Sequence, residues 1–223
     1  TEEALQRLQD NDGFLAVDTE TVSVKDNRLI GIGFAISAVE AFYFPMFNET
    51  DSPHSLRPLW QRALQALQTK RTCVYFNASF DLDVLEPLIP NVDSKNWQDV
   101  SIMCRIQAMP NSLEQNAGED LGINHQTIQD ILPKGKNMLS LSFPTVAWKC
   151  MNDCMVTWQL WAMIEGWRWV QGSEEPYIWR DVIQRTMDVT PQMIRAYNTD
   201  RKLIPLLRRM GKKGLKLNSD YLR

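Results

Sequence analysis

One stretch constrains this chain more than any other: Phe14-Leu15-Ala16-Val17-Asp18-Thr19-Glu20-Thr21. The apolar run from Phe14 to Val17 reads as a buried strand. It delivers two carboxylates, Asp18 and Glu20, where the strand leaves the core. Residues two apart in extended chain point to the same face, so both acids aim one way. Like charges side by side repel, and each raises the proton affinity of the other. A divalent cation removes that conflict, and hard carboxylate oxygens suit Mg²⁺ or Mn²⁺. A solvated strand end or a helix cap carries the same Asp-x-Glu text, so the rest of the chain has to decide.

The neighbouring periodicities predict an α/β fold. Residues 29–36 (LIGIGFAI) and 40–45 (EAFYFP) read as strands that form an antiparallel meander with the first. Gly31 and Gly33 signal close packing or a bulge in the second of these. After a polar loop, Leu56, Leu59, Trp60, Ala63, Leu64 and Leu67 recur at helical spacing. Residues 72–76 (TCVYF) then form a strand that can return parallel to the first. The front half is thus β-β-β-α-β, a mixed sheet. A helix follows Asn77, an extended piece covers 97–100, and helices are predicted over 102–109 and 113–121, the latter stopped by Gly122. Residues 122–142 read as irregular, with one helical piece over 128–132 and a mobile basic loop over 134–137. A long helix runs over 144–169, Gly172-Ser173 breaks the chain, and two further helices occupy 177–197 and 203–210, ended by Gly211 and Gly214.

At 223 residues and 44% hydrophobic content, the chain can hold one good-sized domain, or one domain plus a fragment of another. No apolar run reaches the length of a membrane span and the N-terminus lacks a signal-peptide pattern, so no membrane partner is expected. Thr1 is not an initiator, so the chain is read as an excised or processed piece. The net charge of -3 is unevenly spread: nine basic and two acidic residues between Arg195 and Arg223 leave the remainder at -10. Such a tail is either a phosphate-binding segment or a solvated helix face. Cys73, Cys104, Cys150 and Cys154 form no Cys-x-x-Cys pair, and only His54 and His125 could complete a zinc site. Reduced, buried thiols in an intracellular, cytoplasmic protein fit better.

Two further acids stand out. Asp81 lies four residues after Asn77, just past a short strand, and Asp153 lies in a helix dense in apolar side chains. Alone, Asp81 could be an acid favoured by the dipole of a helix N-terminus, and Asp153 an acid on a solvent stripe. Buried and unpaired, Asp153 would be costly without a metal or a lysine beside it. Together Asp18, Glu20, Asp81 and Asp153 suit a site for two metal ions that stabilise the attacking and leaving oxygens of a phosphoryl displacement.

The order Asp-x-Glu, Asn-x-x-x-Asp and a late helical Asp resembles the three motifs of the DnaQ-like 3′–5′ exonucleases. The local text is closest to the proofreading domain of family A DNA polymerases, the DNA polymerase I type. FLAVDTET with LIGIGFAI is similar to their first motif and second strand, VYFNASFDLDVL to their second, and residues 150–160 (CMNDCMVTWQL) to their third. Asp99 matches a recurrent Asp between motifs two and three. Residues 203–218 (LIPLLRRMGKKGLKLN) resemble the start of the polymerase domain. The resemblance implies an RNase H-like exonuclease domain over residues 1–195 and a truncated polymerase segment over 196–223, from a larger enzyme of phage type. It further implies two Mg²⁺ or Mn²⁺ ions held by Asp18, Glu20, Asp81 and Asp153, a single-stranded 3′ end of DNA as substrate, and the polymerase domain of the same polypeptide as partner.

The chain departs from the family at one place. The tyrosine that orients the attacking water, four residues before the helical Asp, is replaced by Lys149, and the histidine that a sister subgroup places five before it is replaced by Trp148. Lys149 and Asp153 share a helical face, so Lys149 is expected to pair with Asp153 or to reach a phosphate, and joins the acids as a catalytic candidate. Metals are expected to bind while hydrolysis is slowed. The alternative is a degenerate exonuclease fold that guides DNA without cutting it. By the same resemblance, Thr21, Val24, Asn77 and Phe80 contact the 3′-terminal nucleotide, Val24 as an apolar wedge. Ordinary core packing is the competing reading for Val24 and Phe80.

Overall fold

The strand that carries the first two acids lies at the centre of a sheet in the computed structural model, which describes residues 1–47, 55, 57–68, 72–170 and 189–214. This strand, β1 (Leu15–Thr21), pairs antiparallel with β2 (Leu29–Ala35), which pairs antiparallel with β3 (Ala41–Pro45). On its other side β1 runs parallel to β4 (Cys73–Tyr75), and β4 parallel to β5 (Trp97–Asp99). The order is β3-β2-β1-β4-β5, the mixed sheet that the sequence predicts.

Alternation along β1 splits the core between the two faces of the sheet. Leu15 and Val17, with Ile32, Phe34 and Phe44, pack against α1 (Glu2–Asp10), α2 (Arg57–Gln68) and α3 (Ala78–Leu85). Ala16 and Ala35 point the other way, onto Cys154, Trp158 and Ala162 of the long helix α7 (Phe143–Val170). Beside α7, a second apolar cluster joins α4 (Val100–Ile106) and α5 (Leu113–Leu121) through Ile102, Met103, Leu113, Ala117, Val156 and Leu160. Ser112 caps α5 and Gly122, at φ 67°, ends it, as its sequence position requires. The predicted helical piece is α6 (Ile128–Ile131), and a 3₁₀ turn at Met138–Ser140 adds order that the sequence did not suggest. β1 itself extends four residues beyond the apolar run, through Thr21, because its register with β2 continues past both acids.

The C-terminal helix corrects an expectation. Helices over 177–197 and 203–210 were predicted; residues 171–188 lie outside the described part, and from Pro191 a single helix, α8 (Pro191–Lys213), runs through Pro205 and Gly211 to Gly214. Docking explains the continuity. The Arg208 side chain, only 2% exposed, bonds Asp83 at 2.9 Å and Glu86 at 2.7 Å and also pairs with Asp93, while Lys212 pairs with Asp83 at 3.0 Å and with Glu86. Arg201 lies over the Trp97 ring and donates to the Trp97 carbonyl at 2.6 Å. These three cations of the basic segment are therefore committed to holding α8 on α3 and β5, a use distinct from both a phosphate site and a solvated face. All four cysteines are free and buried, as expected. No helix of the described residues is long and apolar enough to cross a membrane.

Removing Arg208 takes a buried cation from between three carboxylates, of which Asp83 and Glu86 keep Lys212 and Asp93 keeps no cation among the described residues. Arg208→Ala should lower stability by about 2–4 kcal/mol in urea unfolding, with the loss of amide-exchange protection concentrated in α8. An unchanged midpoint would show that the helix is held by its apolar contacts alone.

Candidate active site

Asp18 and Glu20 follow Ala16 on the face of β1 that meets α7, opposite Gly33 and Gly31 of β2. Those two glycines create the room for the site. A Cβ at Gly33 would lie 2.6 Å from Cys150 Sγ and 2.8 Å from Cys154 Sγ; one at Gly31 would lie 2.0 Å from the Tyr43 hydroxyl oxygen. Their bare backbone lets α7 and Tyr43 close down beside the acids. The pairing of β1 with β2 also shifts between Glu20 and Thr21, so close packing and an irregularity occur together at the second acid.

Asp81 reaches the same region from the opposite edge of β1. β4 pairs with β1 only through Leu15 and Ala16 and then turns away into α3. The freed Thr19 amide donates to Asp81 Oδ1 at 3.0 Å and the Thr19 hydroxyl to the same oxygen at 2.7 Å. The turn is sharp, with Asn77 in the left-handed region at φ 68°. Asp99 secures it: its carboxylate accepts from the amides of Asn77 at 3.1 Å and Ala78 at 2.9 Å, and from the amide and hydroxyl of Ser101. Asp99 thus stands behind the elbow that aims Asn77, Phe80 and Asp81.

Asp153 is not on a solvent stripe. Its side chain is 13% exposed and is covered by donors from two side chains. Lys149, one turn earlier on α7, contacts both carboxylate oxygens, and His125 Nε2 donates to Oδ1 at 2.6 Å. The Lys149 side chain is itself buried. Trp148, at the position where a sister subgroup carries histidine, is 46% exposed and does not line the site. A histidine is nevertheless present, supplied by the loop between α5 and α6 and 28 residues before the acid it meets. No helical spacing could reveal that partner; the sole signal was that His125 is one of two histidines in the chain.

Burial and mutual repulsion set the protonation of this cluster. Burial first, and Asp153 second, push Asp18 up to about 7, against the pull of Lys149. Glu20 is raised well above the carboxylate range by burial, then by Asp18 and Asp153. Asp81 is raised by burial and then by Asp18, despite the Thr19 bonds. Burial disfavours the Lys149 ammonium, but the charge and hydrogen bonds of Asp153 outweigh it and hold Lys149 above its ordinary value. Among the described residues, the one group of metal-competent atoms within 4.8 Å of each other is Asp18, Glu20 and Cys150. Crowded carboxylates that resist ionisation are a fit for a hard divalent cation. The Cys150 thiol, pushed well up by burial, bonds the Asp18 carbonyl at 3.7 Å and behaves as a neutral neighbour.

A cleft of about 770 Å³ opens over these groups. Asp18, Glu20, Lys149 and Asp153 line its floor with Thr21, Val24, Asn77 and Phe80 around them. Asp81 and His125 lie just beneath that surface. Val24 is 90% exposed and Phe80 half-buried in the cleft wall, so neither is ordinary core packing, whereas Thr21 is buried and Asn77 exposed.

The Asp18 shift fixes a pH dependence. Between about pH 4 and about 7 the folded, metal-free chain binds a proton at Asp18 that the unfolded chain has released. Stability should therefore fall as pH rises through that window and level off above it. In EDTA, Asp18→Asn should flatten this slope and raise the neutral-pH melting temperature, by about 2–4 °C for each kcal/mol recovered. A wild-type curve without that slope would place the Asp18 carboxyl in a solvated setting.

No family model matches the chain, and no curated protein matches it in sequence. Solved structures do match. The chain superposes on NrnC of Brucella melitensis with a TM-score of 0.61 at 14% identity, over 93% of this chain and 89% of that one. A structure of NrnC bound to pGG gives a TM-score of 0.59 at 16% identity, over 92% and 88% of the two chains. RNase D of Escherichia coli, an exoribonuclease involved in structured RNA processing, gives 0.52 at 12% identity, over 94% of this chain and 49% of that one. At such identities the likeness is one of architecture, and it gives this chain an RNase H-like fold: a mixed five-stranded sheet flanked by helices.

Proposed function

We propose that this chain is a metal-dependent 3′–5′ exonuclease that removes nucleotides from single-stranded DNA ends as the proofreading part of a family A DNA polymerase. The observation that carries the reading is the meeting of Asp18 and Glu20 with Asp153 on one cleft floor, with Asp81 directly beside them. Support for a metal comes from the donor set and from the fold neighbour NrnC, which is known with bound Mg²⁺. Asp18, Glu20, Asp81 and Asp153 would hold two such ions, which supply an activated water and neutralise charge developing on the phosphate.

The protein's own residues do the positioning. Val24 stands exposed at the cleft rim, free to wedge against a terminal base, and Phe80 offers an aromatic wall. The Asn77 side chain, exposed at the head of α3, and Thr21 line the same cleft and would contact the terminal nucleotide. Asp99 fixes the elbow that aims Asn77 and Phe80. The tyrosine that would orient a water in the resembled family is Lys149, which spends its donors on Asp153, so hydrolysis is slowed. The DNA and polymerase assignments rest on the motif text and on residues 203–218; residues 1–195 form the nuclease unit and 196–223 begin the polymerase segment, with α8 crossing that boundary.

The double engagement of Asp153 by Lys149 and His125 favours a second reading, a fold that binds and guides DNA without cutting it. Release of nucleotides from a 5′-labelled single strand in Mg²⁺ or Mn²⁺ separates the two. Wild type should shorten the strand from its 3′ end, Asp18→Ala should abolish this, and Lys149→Tyr should accelerate it by about 10²-fold, the low end of what a positioned acid–base group contributes. Inertness of all three would establish the guiding role, and preferential trimming of an RNA strand would move the substrate class toward that of RNase D.

A further inference from the structure

We infer that two loops joined at the cleft rim, 23–28 and 133–137, form a track for the phosphates of a single nucleic-acid strand, held by Lys25, Lys134 and Lys136. The inference rests on the nucleic-acid reading of the cleft and concerns the strand upstream of its terminal nucleotide. Three cations of the basic C-terminal segment, Arg201, Arg208 and Lys212, are spent on holding α8. Lys149 is spent on Asp153. The chain outside residues 195–223 carries a net charge of -10, so uncommitted cations beside the cleft stand out. Lys25, Lys134 and Lys136 are all exposed, and among the described residues none of the three has an ion pair.

The two loops make one surface. The Met138 amide donates to the Val22 carbonyl at 3.0 Å, which ties the end of the second loop to the start of the first. Val22, Val24 and Lys25 line the cleft from one loop, and Leu132 and Met138 line it from the two ends of the other. Between those ends the chain turns sharply: the Lys136 amide donates to the Pro133 carbonyl at 3.0 Å, and Gly135 lies in the left-handed region at φ 78°. A turn this short, anchored on both sides by cleft residues, keeps its two lysines at the rim. The neighbouring acids have partners. Asp26 pairs with Arg28 at 3.5 Å, and Asp130 accepts from the Thr127 amide at 2.8 Å and hydroxyl at 2.9 Å. Glu114 of α5 also lines the cleft and would repel a phosphate, which leaves the two loops as the basic part of the rim. Lys25 directly follows Val24. A strand whose last base meets Val24 therefore carries its preceding phosphates past Lys25 and onto the turn. Lysine suits that task, as a compact charge on a flexible stem. Such contacts position a strand without reading its bases.

Binding is read without cutting, in EDTA. The anisotropy of 5′-fluorescein-labelled dT₂, dT₈ and rU₈ is followed against the full chain at rising KCl. Wild type is compared with a rim variant, Lys25→Gln with Lys134→Gln and Lys136→Gln, and with a charge-matched control on α8, Lys202→Gln with Arg209→Gln and Lys213→Gln. All six side chains are exposed, and equal melting temperatures check that both variants fold. The rim variant should flatten the slope of log K against log[KCl] for dT₈ by about 2, three phosphate contacts at about 0.7 each on a single strand, and should weaken dT₈ at least about tenfold at low salt. The dinucleotide, which ends before the track, should change much less. The control should keep the wild-type slope, and rU₈ should lose as much as dT₈, because both offer the same phosphates. An unchanged slope in the rim variant, an equal fall in the control, or a wild type that does not bind dT₈ would overturn the proposal. A loss confined to dT₈ would move the contact from phosphate to sugar and overturn it too. A wild type that binds dT₈ through the rim yet releases no nucleotide in Mg²⁺ or Mn²⁺ would defeat the nuclease reading and leave the track standing; a wild type that cuts while the rim variant keeps its salt slope would do the reverse.

Discussion

Crowding four carboxylates into a water-poor corner is the constraint around which this structure is arranged. Ionised acids within a few ångströms of each other cannot be buried unless something of opposite sign, or a strong donor, stands beside them. Each acid has a different answer. Thr19 gives Asp81 two donors from a strand edge that β4 has left unpaired. Lys149 and His125 cover Asp153. Asp18 and Glu20 are given no counter-charge of their own, and they are the two whose proton affinity rises through burial without a hydrogen bond from a neighbouring polar side chain other than a thiol. The unresolved repulsion is concentrated on that pair, beside the buried Cys150.

The backbone serves that corner in two ways. Gly33 keeps the sheet surface low so that α7 can lie against β1 and β2 and carry Asp153 over the strand, and Gly31 leaves room for Tyr43 beside it. α3 is fastened at both ends: Asp99 takes the amides of its first turn, and Arg208 and Lys212 of α8 bind Asp83 and Glu86 toward its last. Asp81 lies between these anchors. The basic C-terminal helix thus braces the helix that carries an acid it never touches; of its apolar side chains, Tyr197 and Ile204 pack inward, while Leu203, Leu206, Leu207 and Met210 face outward.

Most of the fold was legible because its signals are local. The alternation in β1, the helical spacing in α2, the Ser112 and Gly122 stops of α5, and the apolar density of α7 each fix an element without reference to the others. The four acids and the cleft residues were legible through motif text. What escaped were pairings that depend on tertiary docking. His125 is remote in sequence from Asp153, and a search along α7 at four- and five-residue spacing cannot find it. Gly211 looked like a helix stop, and its propensity was overridden by ion pairs on both sides of it, at Arg208 and Lys212. Asp99 was legible only as an Asp recurrent between two motifs; its bracing of the elbow depends on which amides face it.

The exchange of tyrosine for lysine at position 149, relative to the resembled family, alters more than an orienting contact. A phenol both donates and accepts, so it can hold a water by either of its hydrogens or lone pairs; an ammonium has three donors and no acceptor. Lys149 therefore cannot take a proton from a nucleophilic water or hold that water by its hydrogen, whatever its position. It can lower the charge of the floor, and it can grip a phosphate oxygen. Histidine from the α5–α6 loop restores a group that can exchange a proton, but it does so beneath Asp153, with its side chain almost wholly buried and bonded to that acid. Where the resembled family has one side chain, two side chains here, an ammonium and a buried imidazole, are both engaged on Asp153.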